Sequence, residues 1–251
     1  MRTFRHAGDL GDVLYALPVL RALCNGDKGA LLIEAANYTR QLLIPDNWCG
    51  IDRLLREQPY IGDVRPYSQG TPVSYNLNDF RARLFTAVRH GLGKDKHLTH
   101  WVCESHGVPF TCMDAPWLQV EQPIEAAPVV FVRAGAGRQS HQVYQNNAFP
   151  WHFVWEKYHK EAVFVGTPTE HEIFCATCGK VPHYKTENLF EAARVIAGCK
   201  LFVGNQTSTH AIAEGMKKRI VLEVWKEGPN CLVFRPGVTH GWDQHVQLPD
   251  L

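Results

Sequence analysis

His6-Ala7-Gly8-Asp9-Leu10-Gly11-Asp12-Val13-Leu14-Tyr15-Ala16-Leu17-Pro18 is the stretch that decides the fold. A short opening strand runs into a loop carrying two glycines and two carboxylates, and the chain then enters a helix read from Val13 to Leu23. Glycine lets backbone and ligand approach where a side chain would obstruct them. A strand-loop-helix junction is also where open α/β sheets place their ligands. The reading therefore puts Asp12, with Gly8 and Gly11, at a cleft.

Outward from that loop, the turn Asn25-Gly26-Asp27 leads to a buried strand, Ala30 to Glu34, which completes a strand-helix-strand unit. Helices are predicted over Thr39 to Leu43, Ile51 to Glu57 and His97 to His106, with a short strand over Val73 to Leu77. The segment Glu121 to Pro128 carries two prolines and few structure-forming signals, so the chain divides there, into halves 1–122 and 123–251. The second half restarts the alternation. Strands are read at Val129–Val132, Ala162–Val165, Leu201–Val203 and Ile220–Val224, and helices at Trp151–His159, Glu170–Cys178, Leu189–Ala197 and Ser208–Met216. Strands alternating with helices at this spacing predict an α/β protein with a parallel sheet in each half, the two halves facing across a cleft.

Composition narrows the function. The chain has 251 residues, 45% of them hydrophobic, which is ample for real cores, and its formal net charge of +1 gives no global basic field for nucleic acid. Met1 to His6 lacks an apolar signal core and no run reaches the roughly 18 apolar residues of a membrane helix, so the expectation is a soluble, cytoplasmic protein. Eight cysteines scattered through a chain of this size read as reduced thiols. His171, Cys175, Cys178 and His183 have ligand types that suit zinc, but a single CxxC pair is weak evidence, and a helix ending at Gly179 with small buried thiols explains them as well.

A second informative stretch runs from Leu201 to Gly215. A strand ends in Gly204-Asn205-Gln206, and Thr207 and Ser208 sit where a helix begins. Backbone amides at that helix start, with the two hydroxyls, form a site for phosphate oxygens, while an ordinary helix cap is the competing account. The loop Arg133-Ala134-Gly135-Ala136-Gly137-Arg138 follows the first strand of the second half, where Arg133 or Arg138 would make bidentate phosphate bonds unless they are rim arginines. Glu223 ends a strand and is a candidate acceptor for ribose hydroxyls, with an ordinary surface carboxylate as the competing account. His210 is read as either a phosphate contact or a histidine packed in the first turn of its helix. In the loop from Tyr144 to His152, Phe149 and Trp151 read as core anchors, with the role of Tyr144 open.

Taken together, these stretches resemble glycosyltransferase family 9, whose best-known members are the lipopolysaccharide heptosyltransferases. Gly8 to Leu23 is similar to the family's N-terminal motif, in which a Gly-Asp pair precedes an apolar helix start, a proline and a Leu-Arg-Ala-Leu-like run. Asn188 to Gly215 resembles its donor-binding strand-turn-helix, and Val163-Phe164-Val165-Gly166-Thr167-Pro168-Thr169-Glu170 its Gly-x-Pro-x-Glu-like turn. The resemblance implies a GT-B architecture of two Rossmann-like domains, the N-terminal one for the acceptor and the C-terminal one for a nucleotide-sugar donor. It aligns Asp12 with the family's catalytic base, Asp9 being the competing carboxylate, and it places Gly166, Thr167, Asn205, Gln206, Thr207, Ser208 and His210 on the donor side. Gln206-Thr207-Ser208-Thr209-His210 lacks the acid of the family's Asp-Ser/Thr-Gly-like turn, which leaves the donor's identity open.

The chemistry fits those positions. An acceptor hydroxyl must lose its proton as it attacks the anomeric carbon, and a positioned carboxylate accepts it. No Asp-x-Asp motif is present to hold a divalent cation, so the expectation is no metal and no cofactor, the leaving diphosphate being stabilised by a helix dipole, hydroxyls and cationic side chains. The expected partners are a nucleotide diphosphate-sugar and a glycan or other hydroxyl acceptor. Two alternatives stand beside this reading. One is transfer to a modified DNA base, which needs a basic surface from Arg81, Arg83, Arg89, Lys94 and Lys96. The other is a nucleotide-sugar-binding protein without turnover. A dinucleotide dehydrogenase is disfavoured, because no GxGxxG follows either first strand.

Overall fold

The computed structural model describes residues 1–34, 50–93, 95–135 and 145–251. The helix expected over Thr39 to Leu43 lies outside them, as do Lys94, Gly137, Arg138 and Tyr144. The first half holds β1 (Arg2–Ala7), α1 (Leu10–Cys24), β2 (Gly29–Glu34), α2 (Ile51–Arg56), β3 (Ile61–Pro66), β4 (Tyr75–Asn76), α3 (Phe80–Arg89) and α4 (Leu98–His106). Its four strands are all parallel, in the order β3-β2-β1-β4. In the second half follow β5 (Val129–Val132), α5 (Trp151–Tyr158), β6 (Ala162–Phe164), α6 (Pro168–Thr177), α7 (Leu189–Gly198), β7 (Leu201–Asn205), α8 (Ser208–Gly215), β8 (Arg219–Glu223) and β9 (Val238–Gly241). That sheet is also parallel throughout, ordered β6-β5-β7-β8-β9.

Both orders reverse direction once, between β1 and β4 in the first sheet and between β5 and β7 in the second. Open sheets hold ligands outside the carboxyl ends of their strands at such reversals. The loops after β1, β5 and β7 are the three that sequence reading singled out.

The strands β5 and β7 are buried on both faces. Val130 and Val132 of β5 join one core cluster while Val129 and Phe131 join another, under α5 and α6, as the period of two requires. The first cluster is continuous between the halves: Leu14, Leu17 and Leu20 of α1 belong to the same buried group as Ala211 and Ile212 of α8 and Ile196 of α7. Gly29, Gly204 and Gly215 stand where the core leaves no room for a Cβ, Gly215 directly against Leu118.

Helix α1 contains Pro18, which has no N–H to offer the Leu14 carbonyl one turn back. Trp117, fully buried, supplies the missing donor, its Nε1 bonding Leu14 O at 3.1 Å. The stretch between the sheets is therefore fastened and not slack. Trp117 and Leu118 donate their amides to Gly215 O, and Ile124 donates to Arg194 O.

Three elements were not foreseen: β3, α3 and β9. Each is poorly buried. β3 is an edge strand with only Ile61 and Val64 buried, β9 is an edge strand with only Gly241 buried, and α3 buries Phe80 alone.

Candidate functional site

At the first reversal, β1 ends at Ala7 and Gly8 turns the chain with φ at 139°, a conformation that side-chain-bearing residues rarely adopt. Asp9 caps α1 through its backbone, its carbonyl accepting from Val13 N at 3.2 Å. This leaves Asp12 in the helix's first turn. Across the reversal, Arg81 of α3 donates from Nη2 to Asp12 Oδ2 at 2.8 Å and to Ala7 O at 2.9 Å. Asn78, just past β4, accepts from Ala7 N at 3.0 Å and from Arg81 Nε at 3.4 Å, so one side chain ties the loop and orients the guanidinium. A Cβ on Gly8 would overlap both Arg81 Nη2 and Asp12 Oδ2; the glycine makes room for the ion pair.

The pair is only partly shielded, with 22% of the Arg81 side chain and 27% of the Asp12 side chain exposed. Desolvation at the crevice floor pushes the Asp12 carboxyl above the usual carboxylate range, against the pull of Arg81 and of the Asp9 amide. A carboxylate with raised affinity for a proton and a cation to hold its orientation is equipped to act as a base. Beneath it lies His6, fully buried, with neither ring nitrogen hydrogen-bonded and its pKa lowered to about 3 by burial and by Arg81.

The second reversal is built differently. Asn205, ending β7, accepts from Ala134 N at 3.0 Å and donates to Ala134 O at 2.9 Å, bridging β7 to the loop after β5. Gln206 is buried and holds the 225–230 segment, accepting from Trp225 N at 2.6 Å and donating to Gly228 O at 3.0 Å. Thr207 precedes α8 but makes no side-chain cap; its hydroxyl meets that of Thr209 at 2.8 Å. The amides of Ser208, Thr209 and His210 have no acceptor within the helix, as at any α-helix start. They sit beside the first reversal, because a Cβ on Gly11 would lie 3.8 Å from Ser208 N. The structure thus brings together the Gly8–Asp12 loop, Thr207 and Ser208.

Gly166 and Thr167 form the start of α6, where Thr167 and Glu170 make a reciprocal capping box. Glu170 also accepts from Gly135 N at 2.8 Å, so this turn shapes the loop after β5 from below. A Cβ on Gly166 would meet Phe164 at 2.7 Å and Glu170 at 3.1 Å.

Several expectations are corrected by burial. Glu223 is neither a surface carboxylate nor open to a ribose: its side chain is 0% exposed and accepts from Arg133 Nε and Nη2, both at 3.2 Å, from Asn146 N at 2.6 Å and from Trp151 Nε1 at 2.7 Å. Arg133, 11% exposed, is accordingly not a rim residue, and the Nε–Nη2 edge that would make a bidentate phosphate contact is committed to Glu223. His210 takes the packing role. Its ring is buried, Nδ1 lies 2.7 Å from Tyr15 Oη, and burial lowers its pKa to about 3, which leaves no charge to offer a phosphate. His171 Nε2 bonds Val181 O and Cys175 Sγ, and His183 Nε2 bonds Gly166 O. Among the described residues no group of three or more His, Cys, Asp or Glu side chains converges as metal ligands. The basic surface read for DNA is also divided, since Arg81 turns inward to Asp12 and Lys96 pairs with Glu104. Arg138, Tyr144 and Lys94 lie outside the described residues.

Sequence reading missed Arg81 as a site residue, together with Asn78, Glu170 and Tyr15. Only the Asn78-Asp79-Phe80-Arg81 run after a short strand, placed across the sheet reversal from the glycine loop, carried a signal for the first two.

No family model matches the chain, and no curated protein sequence matches it. Solved structures do. The glycosyl transferase family 9 protein from Veillonella parvula DSM 2008 is similar over 95% of this chain and 85% of its own, with a TM-score of 0.58 at 13% identity. The E. coli heptosyltransferase WaaC with ADP-2-deoxy-2-fluoro heptose is similar over 88% of both chains, with a TM-score of 0.56 at 13% identity. The glycosyltransferase TibC from enterotoxigenic E. coli is similar over 94% of this chain and 61% of its own, with a TM-score of 0.59 at 15% identity. At these identities the likeness establishes the fold. It is the GT-B-like arrangement that the resemblance implied, with two parallel sheets.

Proposed function

We propose that the protein is a metal-independent, inverting glycosyltransferase that moves a sugar from a nucleotide diphosphate donor to an acceptor hydroxyl. Residues 1–122 hold the acceptor, residues 123–251 hold the donor, and the reaction takes place in the cytoplasm; no helix among the described residues is long and apolar enough to cross a membrane. The observation that carries the reading is the pairing of Asp12 with Arg81 beside the start of α8. Asp12 takes the proton of the acceptor hydroxyl as its oxygen attacks the anomeric carbon. The bond from that carbon to the diphosphate breaks on the opposite face, which inverts the centre. Charge growing on the leaving diphosphate meets the amides of α8 and the hydroxyls of Thr207 and Ser208, with Arg138 as the proposed cation. Arg81 orients the carboxylate and tempers its raised proton affinity.

WaaC is seen with an ADP-sugar analogue, so ADP-sugars head the donors to try here. The experiment is a thermal-shift screen of nucleoside diphosphates and their sugars, followed by release of nucleoside diphosphate by wild type and Asp12→Ala. A binding ligand raises the melting temperature by mass action. We expect a selective shift in both proteins, and turnover reduced by about 10²–10⁴-fold in the variant. Equal release from both would remove Asp12 as the base. A tight donor shift without any release would favour the non-catalytic binder, and no shift with any nucleotide would remove the donor site.

A further inference from the structure

Two of the eight cysteines face each other in the first half. Cys103, in α4, is 1% exposed, and Cys112, in the 3₁₀ turn Phe110–Met113, is partly exposed; their sulfurs lie 3.6 Å apart. Among the described residues no other pair of cysteines meets sulfur to sulfur. The two are not equivalent. The hydrogen bond between them raises the Cys103 thiol and lowers that of Cys112, and the nearby Arg21 guanidinium adds to the lowering at Cys112. Arg21 is held there by its own bond from Nη2 to Cys112 O at 2.8 Å. A part-exposed cysteine inclined to the thiolate, backed by a buried one that holds its proton, is the arrangement of an attacking and a resolving thiol. Closing the gap to the roughly 2.05 Å of a disulfide asks for a shift of about 1.5 Å, in a turn that is irregular and at the surface.

We propose that Cys103 and Cys112 are a redox couple, a modification site that closes to an intramolecular disulfide when the protein meets a small-molecule disulfide of the glutathione type. The Cys112 thiolate attacks one sulfur of that disulfide, whose S–S bond breaks and releases one thiolate with the electron pair. Cys103 then gives its proton to solvent and attacks the Cys112 sulfur, expelling the second small thiolate. Two protein thiols are oxidised, one small disulfide is reduced to two thiols, and the protons balance. The new bond ties the 3₁₀ turn to α4 and so fixes Phe110 and Met113, which line a groove of about 600 Å³ also bordered by His97, Lys217 and Leu232. Closing so short a loop is expected to raise the melting temperature by roughly 5–10 °C.

The test uses the folded full chain. It is incubated with oxidised glutathione, its free thiols are blocked with N-ethylmaleimide, and it is digested with trypsin. His97 to Arg133 contains no internal lysine or arginine, so both cysteines report on one peptide. We expect that peptide to lose two hydrogens and take up no maleimide, to recover both thiols with dithiothreitol, and to accompany the rise in melting temperature. Cys103→Ser is expected to leave Cys112 carrying a stable glutathione adduct, and Cys112→Ser to leave Cys103 unmodified. Complete alkylation of both cysteines after oxidation, or a bond from either to a different cysteine, would overturn the proposal.

Discussion

The two sheet reversals carry the same pair of charges in opposite states. At the first, Asp12 and Arg81 meet at a crevice that solvent reaches, and the described partners of Asp12 are Arg81 and the Asp9 amide. At the second, Glu223 is sealed off and saturated by Arg133, Trp151 and the Asn146 amide. Equal chemistry therefore gives unequal availability. A carboxylate enclosed by donors holds a sheet end and its loop together, while one with a single cation and an open side can exchange a proton. In both places an asparagine, Asn78 or Asn205, stitches the loop across the reversal, so the difference lies in the charges and not in the frame.

The largest expected effect tests what both reversals share, neutral histidines enclosed by the fold. Burial lowers His6, His97 and His210 to about 3 each, so below pH 6.5 the unfolded chain takes up protons that the folded one refuses. Their contribution is present above pH 6.5 and is lost as pH falls from there toward 3. Between pH 7 and 5 this costs about 2 kcal/mol per histidine. The raised carboxyls of Asp12 and Glu223 act in the opposite sense and offset part of it. Melting temperatures measured across pH 8 to 4 are expected to fall steeply below 6.5; a flat profile would mean that the histidines ionise within the fold.

Next in size is the contrast itself. Glu223→Gln leaves Arg133 charged and buried without its counter-ion, at a cost of about 3–5 kcal/mol. Asp12→Asn breaks a part-exposed pair, and about 1 kcal/mol or less is expected. Urea melts of the two variants would break the comparison if the losses were equal. A smaller effect distinguishes Arg81 as a positioning residue. Arg81→Gln is expected to reduce kcat by about 10–100-fold and, by removing a cation that favours the ionised form, to move the acid limb of the pH–rate profile to higher pH. An unshifted limb would mean that Asp12 does not set it. Tyr15→Phe takes from His210 its partner across the halves and should cost about 1 kcal/mol or less in thermal melts with the donor's thermal shift retained.

How much of this was readable in the chain depended on where each residue's partners lie. The apolar runs of β2, β5, β7 and β8 announce themselves, since a strand buried on both faces needs no distant information. β3, β9 and α3 do not, because so few of their residues enter a core. Asp12 was legible from its loop, but Arg81 read as surface charge because its carboxylate is 69 residues away. Glu223 likewise read as exposed, its three donors lying 72 to 90 residues off in sequence. The fate of a polar side chain is set by partners that sequence spacing does not reveal. The loop that holds a ligand can be located locally, but which of its charges stay free cannot.

The cluster that runs unbroken from α1 into α7 and α8 bears on how the molecule comes apart. Each half looks like a module that recurs as a self-sufficient unit elsewhere. Here, however, Leu14, Leu17 and Leu20 share one buried cluster with Ile196, Ala211 and Ile212 of the far half, and Tyr15 bonds His210 across it. Either half expressed alone would display that surface to water and aggregate, and the intact chain should melt in one cooperative transition. Duplicating the architecture has not kept its cores apart: the protein carries two sheets, but one buried cluster runs between them.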